Sequence, residues 1–292
     1  MLEYDFPLYR PPSEAENLIF QVTLGCSFNR CSFCSMYRDK AYELRPLHEL
    51  AAEIKLAAQI DPGARKVFLA DGDALGAPTS HLLEIAKLLR DNFKDLQRIT
   101  SYAWPLNVLN KSPEELKELR DAGLKLIYVG LESGDDELLR RIRKGANGKM
   151  HAETIDKARA AGMKVSATVI LGLGGKKFWQ QHVEGTAQLI NSAPPNFLST
   201  LQLGLASNVE AEFIGRFKGE FVAQDDDGML LEQREILDRL NPSRPVIFRS
   251  NHASNALALA GNLPKDRERL VREVDEVRAG LAPRRPKWMR GY

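Results

Sequence analysis

Short aliphatic runs alternate with amphipathic helical patterns through roughly the first 205 residues of this 292-residue chain. That alternation limits the fold more than any other feature. Strands are expected at residues 17–24, 66–70, 98–102, 125–131, 165–171 and 197–205. Helical spacing lies between them, at 46–60, 79–93, 112–123, 135–145, 151–162 and 181–191. In the second of these helices, Leu82, Leu83, Ile85, Ala86, Leu88 and Leu89 make a wide apolar face. Ser112-Pro113-Glu114-Glu115 is a helix start, with a serine N-cap, proline at N1 and glutamate at N3. Repetition of this kind calls for parallel strands joined by right-handed crossovers. Six units suit an α/β fold of the partial (β/α)6, TIM-like kind better than a closed eightfold barrel.

After residue 205 the rhythm breaks. Helical patterns at 230–240 and 265–280 flank one strand-like run at 245–248. We read 1–205 as the barrel and 206–292 as a C-terminal α/β extension that closes its open side and carries substrate-side groups. Asp225-Asp226-Asp227 reads as a solvated acidic turn, and Pro283-Arg284-Arg285-Pro286-Lys287-Trp288 as a basic surface tail.

Composition narrows the function classes. Hydrophobic residues at 43% and charged residues at 27% are ordinary globular values, which exclude disordered, collagen-like and coiled-coil chains. The 41 basic and 39 acidic residues leave a net charge of +2, so no basic footprint points to nucleic acid as a partner. No run approaches the ~18 apolar residues of a membrane helix. Residues 1–7 are acidic and lack the apolar segment of a secretory leader. The expectation is a cytoplasmic protein with no membrane partner.

All three cysteines, Cys26, Cys31 and Cys34, fall within nine residues at the end of the first expected strand. An odd, clustered set is a poor disulfide framework and points to metal or redox chemistry. Three soft thiolates suit iron–sulfur or zinc. A closed zinc site needs a fourth ligand, and no histidine lies nearer than His48. A [4Fe–4S] cluster on three cysteines leaves one iron open to substrate or cofactor. A three-cysteine zinc site with a distant ligand and uncoordinated thiols are the other readings.

At this point the sequence resembles the radical S-adenosylmethionine (SAM) superfamily. The resemblance rests on four motifs in barrel order: the C-x4-C-x2-C cluster with Phe33 before its last cysteine, Asp71-Gly72-Asp73, Gly130-Leu131-Glu132-Ser133-Gly134-Asp135, and Ile170-Leu171-Gly172-Leu173-Gly174-Gly175. The first cysteine gap is one residue longer than the commonest family spacing. Within the superfamily the chain looks most like short iron–sulfur oxidoreductases of the coproporphyrinogen-oxidase and elongator group. The segments Leu8-Tyr9-Arg10-Pro11-Pro12-Ser13-Glu14-Ala15 and Arg249-Ser250-Asn251-His252-Ala253-Ser254-Asn255 resemble marks of that set.

The resemblance implies a single [4Fe–4S] cluster on Cys26, Cys31 and Cys34, and reductive cleavage of SAM to a 5′-deoxyadenosyl radical. That radical would abstract hydrogen from a substrate the sequence does not identify. Phe33 would shelter the cluster. Asp71, Gly72 and Asp73 would meet the methionyl amine, Glu132 and Ser133 the ribose hydroxyls, and Gly172 and Leu173 the adenine. Each segment also reads more simply as a strand-end turn or helix cap.

His252 and Asn255 are the substrate-side, catalytic candidates; a capped turn is the plainer reading of that loop. Tyr37, Arg38 and Lys40 follow the cluster loop, where they would meet an anionic group or form only a solvated loop. Lys144 would reach the cofactor carboxylate or, more simply, is an exposed lysine at a helix C-terminus. His48, His81, His151 and His182 sit in helical patterns without metal spacing. Partners implied are a small-molecule substrate and an external electron donor of flavodoxin or ferredoxin type, with a protein substrate left open. With every cysteine assigned to one cluster, auxiliary-cluster chemistry such as methylthiolation is not expected. The rival class is a non-catalytic barrel protein with a structural zinc or iron–sulfur site used for binding or sensing.

Overall fold

The computed structural model describes residues 3–291. Met1 and Leu2 of the leader reading, and Tyr292 at the end of the extension, lie outside it. The elements in chain order are β1 (Leu18–Gln21), β2 (Thr23–Leu24), β3 (Glu43–Leu44), α1 (Leu47–Ile60), β4 (Lys66–Ala70), α2 (Thr79–Asn92), β5 (Arg98–Tyr102), α3 (Pro105–Leu109), α4 (Pro113–Asp121) and β6 (Leu124–Glu132). They continue as α5 (Asp136–Arg141), α6 (Gly148–Ala160), β7 (Lys164–Leu171), α7 (Gly175–Ser192), β8 (Phe197–Gln202), α8 (Ser207–Gly215), α9 (Asp226–Arg239), β9 (Val246–Ser250), β10 (Leu259–Leu263) and α10 (Arg267–Arg278). The strand order β1-β4-β5-β6-β7-β8-β9-β10 does not close on itself. The fold is α/β with a mostly parallel sheet, as the alternation requires.

The chain divides into two compact units. The first comprises 1–29, 36–129 and 156–165; the second comprises 30–35, 130–155 and 166–292. In the first, β1, β4, β5 and the start of β6 pair in parallel. Four of the five residues of β4 are buried, the near-continuous burial of a strand covered on both faces. Helix α1 packs on α2 and α2 on α4. The capping box of α4 forms as its sequence demands: Ser112 Oγ accepts from Glu115 N–H, and Glu115 accepts from Ser112 N–H. The short antiparallel ribbon of β2 and β3 forms the neck of the loop that carries the cysteines.

In the second unit, β7, β8 and β9 pair in parallel and β10 returns antiparallel to β9. Every other residue of β10 is buried, the period of a strand with one wet face. Here the expectation for the extension is corrected. Its strands lengthen the row beyond β8 and leave the sheet open, because an antiparallel return ends a series of βα units. Sequence reading passed over β10, whose apolar run Gly261 and Asn262 break. The tail expectation is corrected too. Arg290 pairs with both carboxylate oxygens of Asp226 (2.7 and 3.0 Å). Arg284 reaches Asp227 at 2.9 Å, and Arg285 donates to the carbonyls of His252, Ala253 and Asn255. The acidic turn caps α9 through Asp225 and anchors the basic tail, whose Trp288 and Met289 stay exposed.

Candidate active site

In the first unit, Asp71-Gly72-Asp73 leaves the C-terminal end of β4 and grips the start of the cysteine loop rung by rung. Gly25 N–H donates to Asp71 Oδ2 (3.1 Å), Gly72 N–H to the Gly25 carbonyl (3.0 Å) and Ser27 N–H to Asp73 Oδ1 (3.0 Å). Ser27 Oγ also bonds Asp73 Oδ2, which accepts from Asn107 Nδ2 at 2.7 Å. A Cβ at Gly72 would stand 2.7 Å from Cys26 Cβ, so only glycine lets the loop approach.

Both aspartates are fully buried. Burial raises the pKa of Asp71, against the pull of Lys40, Gln21 and the Gly25 amide. Burial likewise raises Asp73, against Ser27 and Asn107. Lys40 Nζ lies 2.8 Å from Asp71 Oδ2 with only 8% of its side chain exposed, so the anion it meets is internal. The aspartates expected at a methionyl amine therefore spend their side chains on the cysteine loop. Gln21, Ser27 and Asn107 complete this clamp; sequence reading missed them because none stands in a motif.

In the second unit, the rest of the cysteine loop is held differently. Ser32 N–H donates to the Ile142 carbonyl at 2.9 Å. Phe33 packs against the apolar cluster that contains Leu173, Leu138, Leu139 and Ile142. Leu173 is fully buried there, so its side chain belongs to the core. Gly172 has a left-handed φ of +81°, and the space beside it is taken by Met229 Sδ, 3.1 Å from an added Cβ. That face of Gly172, expected to admit adenine, meets α9.

Glu132 ends β6 with a left-handed φ of +66°. Its carboxylate pairs with Lys144 at 2.8 Å, and both are nearly buried. Lys144 is thus no exposed terminal lysine. Burial pulls its pKa down, but Glu132 outweighs it, joined by Cys31 and Cys34, and the net shift is upward. An ammonium held near two thiols favours their ionised, ligating form.

Ser133 is turned inward instead of toward a ribose. Its Oγ accepts from Asp135 N–H (3.0 Å) and lies 2.8 Å from His182 Nδ1. His182, set aside as a plain helical residue, and Glu232 are completely buried. Glu232 Oε1 accepts from Gly172 N–H at 2.7 Å. The spacing His182, Gly185, Thr186 on one face of α7 would have been the signal for this contact.

The substrate candidates lie on the connection between β9 and β10. Asn255 Nδ2 donates to the Thr200 carbonyl (2.8 Å) and Ser250 Oγ (2.9 Å), and its Oδ1 accepts from Gln202 N–H (2.8 Å). Only 2% exposed, Asn255 is a staple between this turn and β8, with no bonding capacity left for a substrate. His252 is half-buried, and its Nδ1 faces Ser254 Oγ at 2.8 Å. Burial, then Arg285, lowers its pKa.

Among the described residues, no three His, Cys, Asp or Glu side chains stand as a ready metal site. The donor set still fits an iron–sulfur cluster. None of the three cysteines is in a disulfide and all are part-exposed, Asn29 N–H points at Cys26 Sγ (3.5 Å), and Lys144 interacts electrostatically with Cys31 and Cys34. Backbone N–H to sulfur contacts of this kind tune such clusters.

A family model described as the radical SAM superfamily matches residues 20–190. The ribosomal protein uS12 methylthiotransferase RimO of Thermoanaerobacter sp. (strain X514) is 25% identical over 167 residues, covering 53% of this chain and 36% of the relative. The heme chaperone HemW of Bacillus subtilis (strain 168) is 24% identical over 162 residues, covering 54% and 41%. The chain thus spans less than half the length of these curated relatives. Coproporphyrinogen III oxidase (HemN) from Escherichia coli matches with a TM-score of 0.60 at 18% identity, over 76% of this chain and 51% of that one. The shared fold is the partial barrel with an open sheet. No described helix is long and apolar enough to cross a membrane.

Proposed function

Because the chain belongs to the radical SAM superfamily, whose members bind a [4Fe–4S] cluster and SAM, we propose that it is an enzyme in which Cys26, Cys31 and Cys34 hold that cluster. The reaction class we assign is hydrogen abstraction from an organic substrate, of oxidoreductase or lyase type. When bound, the cluster supplies the single electron that breaks a carbon–sulfur bond of SAM.

The observation that carries this reading is the clamp on the cysteine loop. Two buried aspartates and a glycine at the end of β4 fix residues 25–27, which presets Cys26 before any metal arrives. Lys144 holds positive charge beside the other two thiols. Glu132, paired with Lys144, keeps a carboxylate at the end of β6 for a nucleoside hydroxyl. Phe33 keeps water from one side of the loop. A small-molecule substrate and an external one-electron donor complete the proposal.

Anaerobic reconstitution with iron and sulfide is the test, followed by assay of 5′-deoxyadenosine under dithionite. A broad shoulder near ~400 nm and 5′-deoxyadenosine formation are expected. Cys26→Ala, Cys31→Ala and Cys34→Ala should each abolish both. A variant that keeps full iron and full cleavage would remove that residue from the ligand set. A cluster without cleavage would instead favour the binding or sensing role.

A further inference from the structure

A buried row of polar contacts links two motif-bearing strand ends to the C-terminal extension through His182 and Glu232, which lie outside the motifs. It runs Ser133, His182, Glu232, Gly172. Ser133 Oγ accepts the Asp135 N–H and shares a hydrogen bond with His182 Nδ1 at 2.8 Å. His182 Nε2 stands 3.5 Å from Glu232 Oε1, a packed contact without a hydrogen bond. Glu232 Oε1 takes the Gly172 N–H at 2.7 Å, and Oε2 takes the Gln224 side-chain amide. Ser133, His182 and Glu232 are all fully buried, so water cannot replace any link.

The packing is built for this contact. A Cβ at Gly134 would stand 2.1 Å from the Gly185 carbonyl oxygen, so two glycines let α7 close onto segment 133–135. Thr186, on the same face, accepts the Gly134 N–H at 3.1 Å. Helix α9 reaches the end of β7 through both Glu232 and Met229, the latter beside Gly172.

We propose that Ser133, His182 and Glu232 form a positioning relay through which α9 sets segments 132–134 and 172–174 for the nucleoside of SAM. This rests on the reading of the chain as a SAM-cleaving enzyme. The three residues touch no substrate in this role; they fix the backbone that does. His182 is the titratable group facing Glu232 from α7. Gly172 from β7 and Gln224 from the segment before α9 bring no charge. Burial pushes Glu232 up to about 8 and His182 down to about 4. Between those values the relay is neutral, and above about pH 8 it acquires a buried charge at the Gly172 amide.

Glu232→Gln preserves the neutral form. Its amide oxygen can accept from Gly172, and one flip of the Gln224 amide restores the other bond. Glu232→Ala leaves the Gly172 N–H buried without a partner. The test compares wild type, Glu232→Ala and Glu232→Gln, each reconstituted anaerobically. Cluster absorbance, SAM affinity by calorimetry, and KM and kcat for uncoupled SAM cleavage are measured from pH 6.5 to 9. Glu232→Ala should keep its cluster and bind SAM roughly tenfold more weakly, the loss appearing in KM. Glu232→Gln should match wild type at pH 7 and lack the weakening that wild type shows above about pH 8. Unchanged affinity in Glu232→Ala, or equal pH profiles for wild type and Glu232→Gln, would overturn the relay while the SAM-cleaving reading stands. If Glu232→Ala fails to fold, the Glu232→Gln profile decides alone. Wild type that neither binds nor cleaves SAM would remove the underlying reading and the relay with it.

Discussion

Gly72 shows how much of the site depends on the absence of a single carbon. Any Cβ there would meet Cys26 Cβ at 2.7 Å, Tyr37 Cδ2 at 3.0 Å and the Gly25 carbonyl at 3.1 Å. Backbone and a ligand cysteine cannot yield without moving the loop. Gly72→Ala should therefore cut iron loading severely while costing the fold only the ~1–3 kcal/mol of an overpacked contact. Gly63→Ala is the control, since its nearest neighbour would be Asp61 Oδ1 at an ordinary 3.9 Å. Iron and sulfide content after reconstitution, read beside thermal melting, checks this. Normal loading in Gly72→Ala would show that the loop does not need this approach. The residue types of Asp71-Gly72-Asp73 were legible in the sequence, but their use was not. A carboxylate in a strand-end motif reads the same whether it faces a ligand or a loop amide, and only three-dimensional closeness to residues 25 and 27 decides between them. Asn255 failed for the same reason: a polar loop residue beside an apolar run looks like a substrate contact until its partners on β8 are seen.

At the scale of elements, reading improves wherever a local rule acts alone. The box at Ser112 and Glu115 formed as its spacing required, and β4, β5, β7 and α1 lie within a residue or two of their expected bounds. Removing that cap by Ser112→Ala should cost about 1 kcal/mol, visible as a lower urea midpoint with an unchanged slope. An unchanged midpoint would mean that packing of α4 on α2 holds the helix start unaided. Prediction was weaker where tertiary contact overrides local pattern. Helix α7 begins at Gly175, six residues before its expected start at 181. Two glycines there read as a turn, yet Lys176 N–H finds the Val222 carbonyl at 2.8 Å, and that long-range bond satisfies an amide the helix start leaves open. Helices α3 and α8 and strand β10 were not read from the sequence; in β10, Gly261 and Asn262 break the apolar run. His182 and Glu232 lie 50 residues apart in sequence on separate helices, and no periodicity links one helix face to another.

Three fully buried groups, Glu232, His182 and His151, contribute a pH dependence of stability that can be worked out in sign. Burial raises Glu232 from 4.5 to about 8. It lowers His182 from 6.5 to about 4 and, joined by Lys144, His151 from 6.5 to about 3. Between pH 4.5 and 8 the folded chain keeps a proton on Glu232 that the unfolded chain releases, so this group's contribution falls as pH rises. Between about pH 4 and 6.5 the unfolded chain protonates both histidines and the folded chain does not, so theirs rises with pH. From 4.5 to 6.5 two rising contributions oppose one falling, for a net gain on the order of 1.4 kcal/mol per pH unit. Above 6.5 only the falling limb of Glu232 remains. Stability from these groups should therefore peak near pH 6.5 and decline toward 8. Glu232→Gln has no proton to lose and should flatten that decline while leaving the acid limb intact. Urea unfolding of the reduced, metal-free chain at pH 5, 6.5 and 8 measures both limbs. Identical declines above pH 6.5 in wild type and Glu232→Gln would mean that Glu232 is already ionised in the fold, with the amides of Gly172 and Gln224 outweighing its burial.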